Sequence, residues 1–250
     1  MRTVLLLLLA LAAPSALAAP PPPSSSPDWS DDKSRVEAQV GVVSALIEAG
    51  LAEKALSVLA EVRAMGVKDR RLDVLQARAF HATGMSAEAR ELLEAHTKAA
   101  PRDPAGWSAL GVVLADAGDL PGAIKALERA KRFAPDDPAV LNNLGYARLA
   151  HGDAEQAVTL FRASLGRDPA QPRTRNNLGF ALARLERDAE ALQAFRAAGP
   201  EADARYNLGV ACVNRGDRPN ALAQFNAALE AAPGHPAATA ALERLLKEAP

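Results

Sequence analysis

The phrase NNLGYARLAHGD, residues 142–153, returns 34 residues later as NNLGFALARLERD from Asn176. Weaker copies begin at Ser108 (SALGVVLADAGD) and at Tyr206 (YNLGVACVNRGD). A fixed spacing of this size marks a repeat architecture, in which one supersecondary unit stacks on the next. Aligned on the Gly of LG, six units begin at Val36, Arg70, Pro104, Pro138, Pro172 and Ala202. The first four steps are 34 residues and the last is 30.

Each recurring residue type has a physical role. Small residues at Gly111, Gly145, Gly179 and Gly209, with Ala123, Ala157, Ala191 and Ala221, let two antiparallel helices approach closely. Large apolar residues between them recur at helical spacing and fill the seam. Gly50, Gly84, Gly118, Gly152 and Gly216 share one repeat position, where a helix is expected to end in a left-handed turn. Asp103-Pro104 and Asp137-Pro138 pair a cap with a first-turn proline and start helices. Pro101, Pro135, Pro169 and Pro233 pull the preceding residue out of the helical region and stop the second helix of a unit. Composition agrees with this reading. The chain is 49% hydrophobic but only 4% aromatic, which suits closely packed, alanine-rich helices better than a β-sandwich core.

These residues resemble the tetratricopeptide repeat (TPR), a helix–turn–helix unit of this length. The likeness covers about residues 36–235 and is most specific in the third, fourth and sixth units. It implies an all-α fold: a right-handed superhelical α-solenoid of about six units. Residues 236–248 are expected to form one further, solvating helix at its end. Three places depart from the pattern. The second unit has Gln76-Ala77 in place of LG, the first has Val67 in place of a stop proline, and the fifth drops four residues and has no proline at its end. Its second helix is therefore expected to be short.

In that family the groove is lined largely by the second, fifth, sixth, ninth, twelfth and thirteenth repeat positions. The resemblance therefore implies a peptide-binding groove built from Asn142, Asn143, Tyr146, Arg173, Asn176, Asn177, Phe180, Arg184, Tyr206, Asn207 and Asn214. Asn143, Asn177 and Asn207 hold the sixth position in successive units. A side-chain amide both donates and accepts, so such a ladder suits the backbone of an extended peptide. The alternative is that these amides bond within the scaffold, and the sequence leaves both open.

The first residues carry a different signal. MRTVLLLLLALAAPSALAA has one Arg, an apolar run, a Pro break and Ala16-Leu17-Ala18, the layout of a secretory signal peptide over residues 1–18. Cleavage is expected after Ala18, leaving the protein soluble in the periplasm or another exported compartment, without stable membrane insertion. The run is short for a membrane span, but retention as an anchor is the alternative. A Pro/Ser-rich linker follows at 19–33, and the solenoid with its capping helix is expected over 34–250. Cys212 is the only cysteine, so no disulfide forms within the chain, and it takes an apolar repeat position.

A formal charge of −1, from 29 basic and 30 acidic residues, gives no basic stripe for nucleic acid. His81, His96, His151 and His235 lack metal-ligand spacing, and no phosphate loop, dinucleotide fingerprint or GxSxG appears. No cofactor and no catalysis are expected. The function implied is a scaffold or adaptor for a polypeptide partner, either an extended segment or a C-terminal tail. Residues 142–229 also resemble TPR proteins of Tad-type and type IV pilus assembly, which implies work on an envelope pilus or secretion machine. Those relatives are commonly lipoproteins, and no cysteine stands at this cleavage site. A periplasmic coordinator of cell-wall or outer-membrane synthesis is the alternative, and an enzyme a more distant one.

Overall fold

The computed structural model describes residues 32–247, with side chains from Val36 onward. The expected signal peptide and linker residues 19–31 lie outside the described residues, as do 248–250. Thirteen helices follow one another among the described residues. The first four are α1 (Asp32–Glu48), α2 (Ala52–Ala64), α3 (Arg71–Ala82) and α4 (Ser86–Ala99). Next come α5 (Pro104–Asp116), α6 (Leu120–Phe133), α7 (Pro138–His151) and α8 (Ala154–Arg167). The chain continues with α9 (Pro172–Arg184), α10 (Asp188–Ala198), α11 (Glu201–Asn214), α12 (Arg218–Ala231) and α13 (Pro236–Lys247). Each helix packs on its neighbour in sequence, and each first helix of a unit also touches the first helix of the next, up to α11. The described residues form an all-α solenoid of stacked helix pairs.

The seam inside each unit is set by a large ring or Leu seated on a glycine. A Cβ added at Gly145 would lie 2.7 Å from Phe161, and one at Gly179 or Gly209 would lie 2.5 Å from Phe195 or Phe225. Gly111 meets Leu127 in the same way, at 2.4 Å. Phe161, Phe195 and Phe225 are buried as a result, and a bulkier residue at any of these glycines would drive the helices apart.

Helix ends follow the local chemistry. Asp103 caps α5 by accepting from the Ala105 N–H, and Asp137 caps α7 by accepting from Ala139 and Val140. The five repeat-position glycines take left-handed φ values between 74° and 106°. In the fifth unit that position holds Glu186, at φ 60° and without glycine's freedom. The fifth unit, expected to lack a closing proline, has one. Pro200 stands two residues past Ala198, as Pro101, Pro135, Pro169 and Pro233 stand two past Ala99, Phe133, Arg167 and Ala231. In the first unit Gly66, at φ 80°, ends α2 where the others use proline. The expected shortening is present: α10 has 11 residues where α4, α6, α8 and α12 have 14. At the far end α13 buries Ala238 and Leu245 and turns Glu243, Arg244 and Lys247 to solvent, as a cap should.

Candidate functional site

Because the first helices lie side by side, equal repeat positions come together on one face. A cavity of about 500 Å³ opens there between α3, α5, α7 and α9. Its walls include Arg78, His81, Ser108, Val112, Asn143 and Arg173. A smaller cleft of about 210 Å³ follows, bringing together Phe180, Arg184 and Asn214 with Leu149 and Arg215. Tyr146 stands 45% exposed on the same row of first helices. Phe180 packs edge-on against Phe195, with centroids 5.0 Å apart, and Tyr206 leans on Phe225 at 5.9 Å.

The asparagines divide into two kinds. Asn142 is buried, and its Oδ1 accepts from Asn177 Nδ2 at 3.0 Å and lies 3.1 Å from the Thr174 hydroxyl. Its own Nδ2 donates to Asn143 Oδ1 at 3.3 Å, and Asn143 donates onward to Ser108 Oγ at 3.4 Å. A polar chain thus ties α5, α7 and α9 together, and both Asn142 and Asn143 are spent on it. Asn207 donates to Asn176 Oδ1 at 3.4 Å across the next junction. Among the described residues Asn177 Oδ1 and Asn207 Oδ1 accept nothing, and the side chain of the exposed Asn214 makes no hydrogen bond. Amides of the ladder are therefore divided: Nδ2 of Asn177 and of Asn207 is spent on the scaffold, and the Oδ1 of each is left open.

Three guanidinium groups on this face are unspent, while Asp137, which also lines the cavity, is used in capping α7. Arg78, Arg173 and Arg184 make no ion pair or hydrogen bond among the described residues. Arg187, Arg196 and Arg215, by contrast, are each tied to a carboxylate. Arg78, Val112 and Ser108 were missed in the sequence although they hold the ninth, ninth and fifth positions of their units. The same positional rule, applied to the second and third units, finds them.

The histidines show long-range pairing that spacing does not reveal. His81 sits with Nε2 2.8 Å from Asp116 and Nδ1 3.2 Å from Ser86 Oγ, which joins α3, α4 and α5. His96, its side chain 1% exposed, lies between Asp103 at 2.7 Å and Asp73 at 3.6 Å. Gly106 makes the room, since a Cβ there would stand 2.4 Å from the imidazole. Cys212 is buried beside Leu208, and burial pushes its thiol above the ordinary range, as befits a core position.

Comparison with known proteins agrees with this geometry. The tetratricopeptide repeat family model matches residues 74–138, 142–201 and 193–236, more than half of the chain. The chain belongs to the tetratricopeptide repeat family. No curated protein matches this TPR chain in sequence. Among solved structures it is similar to Pseudomonas aeruginosa PilF, with TM-score 0.64, 18% identity, and coverage of 87% of this chain and 99% of that one. It is also similar to YrrB, described as a TPR protein with an unusual peptide-binding site: TM-score 0.54, 20% identity, 70% and 92% covered. MamA gives TM-score 0.51 at 19% identity, with 62% and 93% covered. At such identities the likeness is one of fold.

Proposed function

We propose that this TPR chain is an exported scaffold that binds an extended polypeptide segment along its groove during assembly of an envelope pilus or secretion machine. The observation that carries the reading is the coincidence, on one face, of unpaired guanidinium groups and open amide acceptors. Asn177 and Asn207 offer Oδ1 atoms to the N–H groups of an extended backbone, while Tyr146 and Phe180 offer apolar surface. Arg78, Arg173 and Arg184 suit an acidic side chain or a C-terminal carboxylate. The fold likeness to PilF and to the peptide-binding YrrB supports this reading, and the residues 1–18 support export.

Binding rather than catalysis is the reading for the Ser86–His81–Asp116 trio as well. An acid that steadies a catalytic histidine is buried. Asp116 is 49% exposed and closes α5, so the trio serves as a tie between helices.

Crosslinking in living cells from the Tyr146 position should capture one protein, a secretin or pilus component and not a cell-wall enzyme. The mature chain should begin at Ala19. Each lost amide contact costs about 0.5–1.5 kcal/mol, so the Asn177→Ala, Asn207→Ala double variant should bind the captured partner about 5- to 150-fold more weakly at unchanged helix content. Unchanged affinity in a folded double variant would overturn the groove reading.

A further inference from the structure

The row of first helices breaks at one place, and the break leaves a slot. Each first helix from α3 to α11 packs on the first helix before it. Helix α13 takes the place of a seventh first helix, yet it leans on α12 and makes no comparable contact with α11. Tyr206 accounts for this. It holds the fifth repeat position, where earlier units carry Val74, Ser108, Asn142 and Asn176. Its ring lies 5.9 Å from Phe225 and 5.5 Å from His235, wedged between α12 and the turn into α13.

The wedge is held from both sides. His235 Nδ1 accepts from the Ala238 N–H at 3.0 Å, and its Nε2 lies 2.8 Å from Asp203 on α11. Buried Ala238 and Leu245 fix α13 to α12, and the Arg218 guanidinium donates to the Leu245 carbonyl. Since α13 cannot settle onto α11, about 510 Å³ stays open between them. Tyr206, Val210 and Val213 line it from α11, and Ala237, Ala240, Ala241 and Arg244 line it from α13. Val213 is 42% exposed, a large apolar side chain left to water.

We propose that this slot is a side-chain pocket that takes one large apolar residue, of the Leu, Met or Phe class, from the segment bound in the groove. The inference rests on the groove reading. Its support is continuity: Asn214 lines the slot, and Asn207, with its open Oδ1, lies two turns before it on α11. An extended segment paired there sends alternate side chains to opposite sides, and one of them enters the slot. A second copy or an amphipathic helix fits less well, because the outer face of α13 beside the slot carries Glu243 and Lys247. Small alanines leave the volume for the incoming side chain, and the polar groups of the lining, Asn214, Arg244 and the Tyr206 phenol, stand among apolar side chains that dominate it.

The probe is a set of ten-residue peptide libraries with two fixed Asp residues and one further fixed position, Ala, Leu or Phe. They are passed over immobilised full-length protein. Leu and Phe libraries should be retained about ten- to a hundredfold more than the Ala library, the ratio expected for burying a large side chain. Ala240→Phe fills the slot from an exposed position and should abolish that preference while retaining the Ala library. Val213→Glu, also exposed, should do the same by placing a charge in the wall, and circular dichroism checks that both variants fold. Equal retention of the three libraries, or a preference that survives in both variants, overturns the pocket and leaves the groove standing. Retention of no library by the wild-type protein overturns the groove reading, and the pocket with it.

Discussion

At the scale of single residues, the fold rests on glycines that have been traded for rings. Gly145 has no Cβ because the Phe161 ring occupies that space, 2.7 Å from where the atom would be. Gly145→Ala should therefore cost ~1–3 kcal/mol by overpacking. Phe161→Leu should cost ~1–2 kcal/mol by leaving a cavity. Both changes act on the same contact, so the double variant should depart from the sum of the two single costs by at least ~0.5 kcal/mol. Urea denaturation of the four proteins measures this, and strict additivity would mean the ring and the glycine do not share the seam. These partners were readable in the sequence because both recur at fixed repeat positions. His96 and Gly106 were not. The histidine takes a place where other units have Ala130 or Ser164, and the glycine takes one where they have Val140 or Thr174. A volume exchange between units leaves no periodic signal.

At the scale of helices, boundaries were legible wherever a turn is local and obscure wherever a junction is held by charge. Cap-proline pairs and left-handed glycines lie within a few residues of the end they define. The α10–α11 junction has only Gly199 and Pro200 between helices, and a carboxylate secures it. Glu201 accepts from Arg196 at the end of α10, at 2.6 and 2.7 Å, and from Arg205 one turn ahead at 2.8 Å. Those two guanidinium groups lower the Glu201 carboxyl from the usual 4.5 to about 2. A carboxyl depressed on folding stabilises the protein above its unfolded value and loses that contribution as pH falls from about 4.5 toward 2. Melting temperature should thus fall more steeply across that window in the wild-type protein than in Glu201→Gln. Because the pair is solvent-exposed, 0.5 M salt should narrow the difference. Parallel pH profiles for the two proteins would show that the junction does not depend on this charge.

At the scale of the whole molecule, repeat stacking makes stability a sum over neighbours, so it need not be even along the chain. The sequence made the shared face of the first helices legible, because repeat position assigns a residue to that face. It did not separate Asn142 from Asn143, or either from Asn177, since which amide is spent depends on Ser108 and Thr174 in neighbouring units. The core shows a similar division. Around α1 to α3 it is built from aliphatic side chains, Val43, Leu59, Val62, Leu72 and Leu75 among them. Around α8 to α13 it contains Phe161, Phe195 and Phe225, with Phe180 and Tyr206 packed against them. Aromatic rings bury more area each, at ~25 cal/mol per Å². Among the described residues no unit covers the outer side of the first, and Val42 on α1 is left half exposed. Native-state hydrogen exchange should therefore open α1 and α2 first, with amides of α7 to α12 protected at least tenfold more strongly, while α13 shields α12 from the other end. A segment bound along the groove would span α3 to α11 and should raise protection there, leaving the exchange of α1 and α2 unchanged. Uniform protection along the chain would mean that the solenoid unfolds as one cooperative block, and α1 and α2 exchanging last would place its most stable core at the other end.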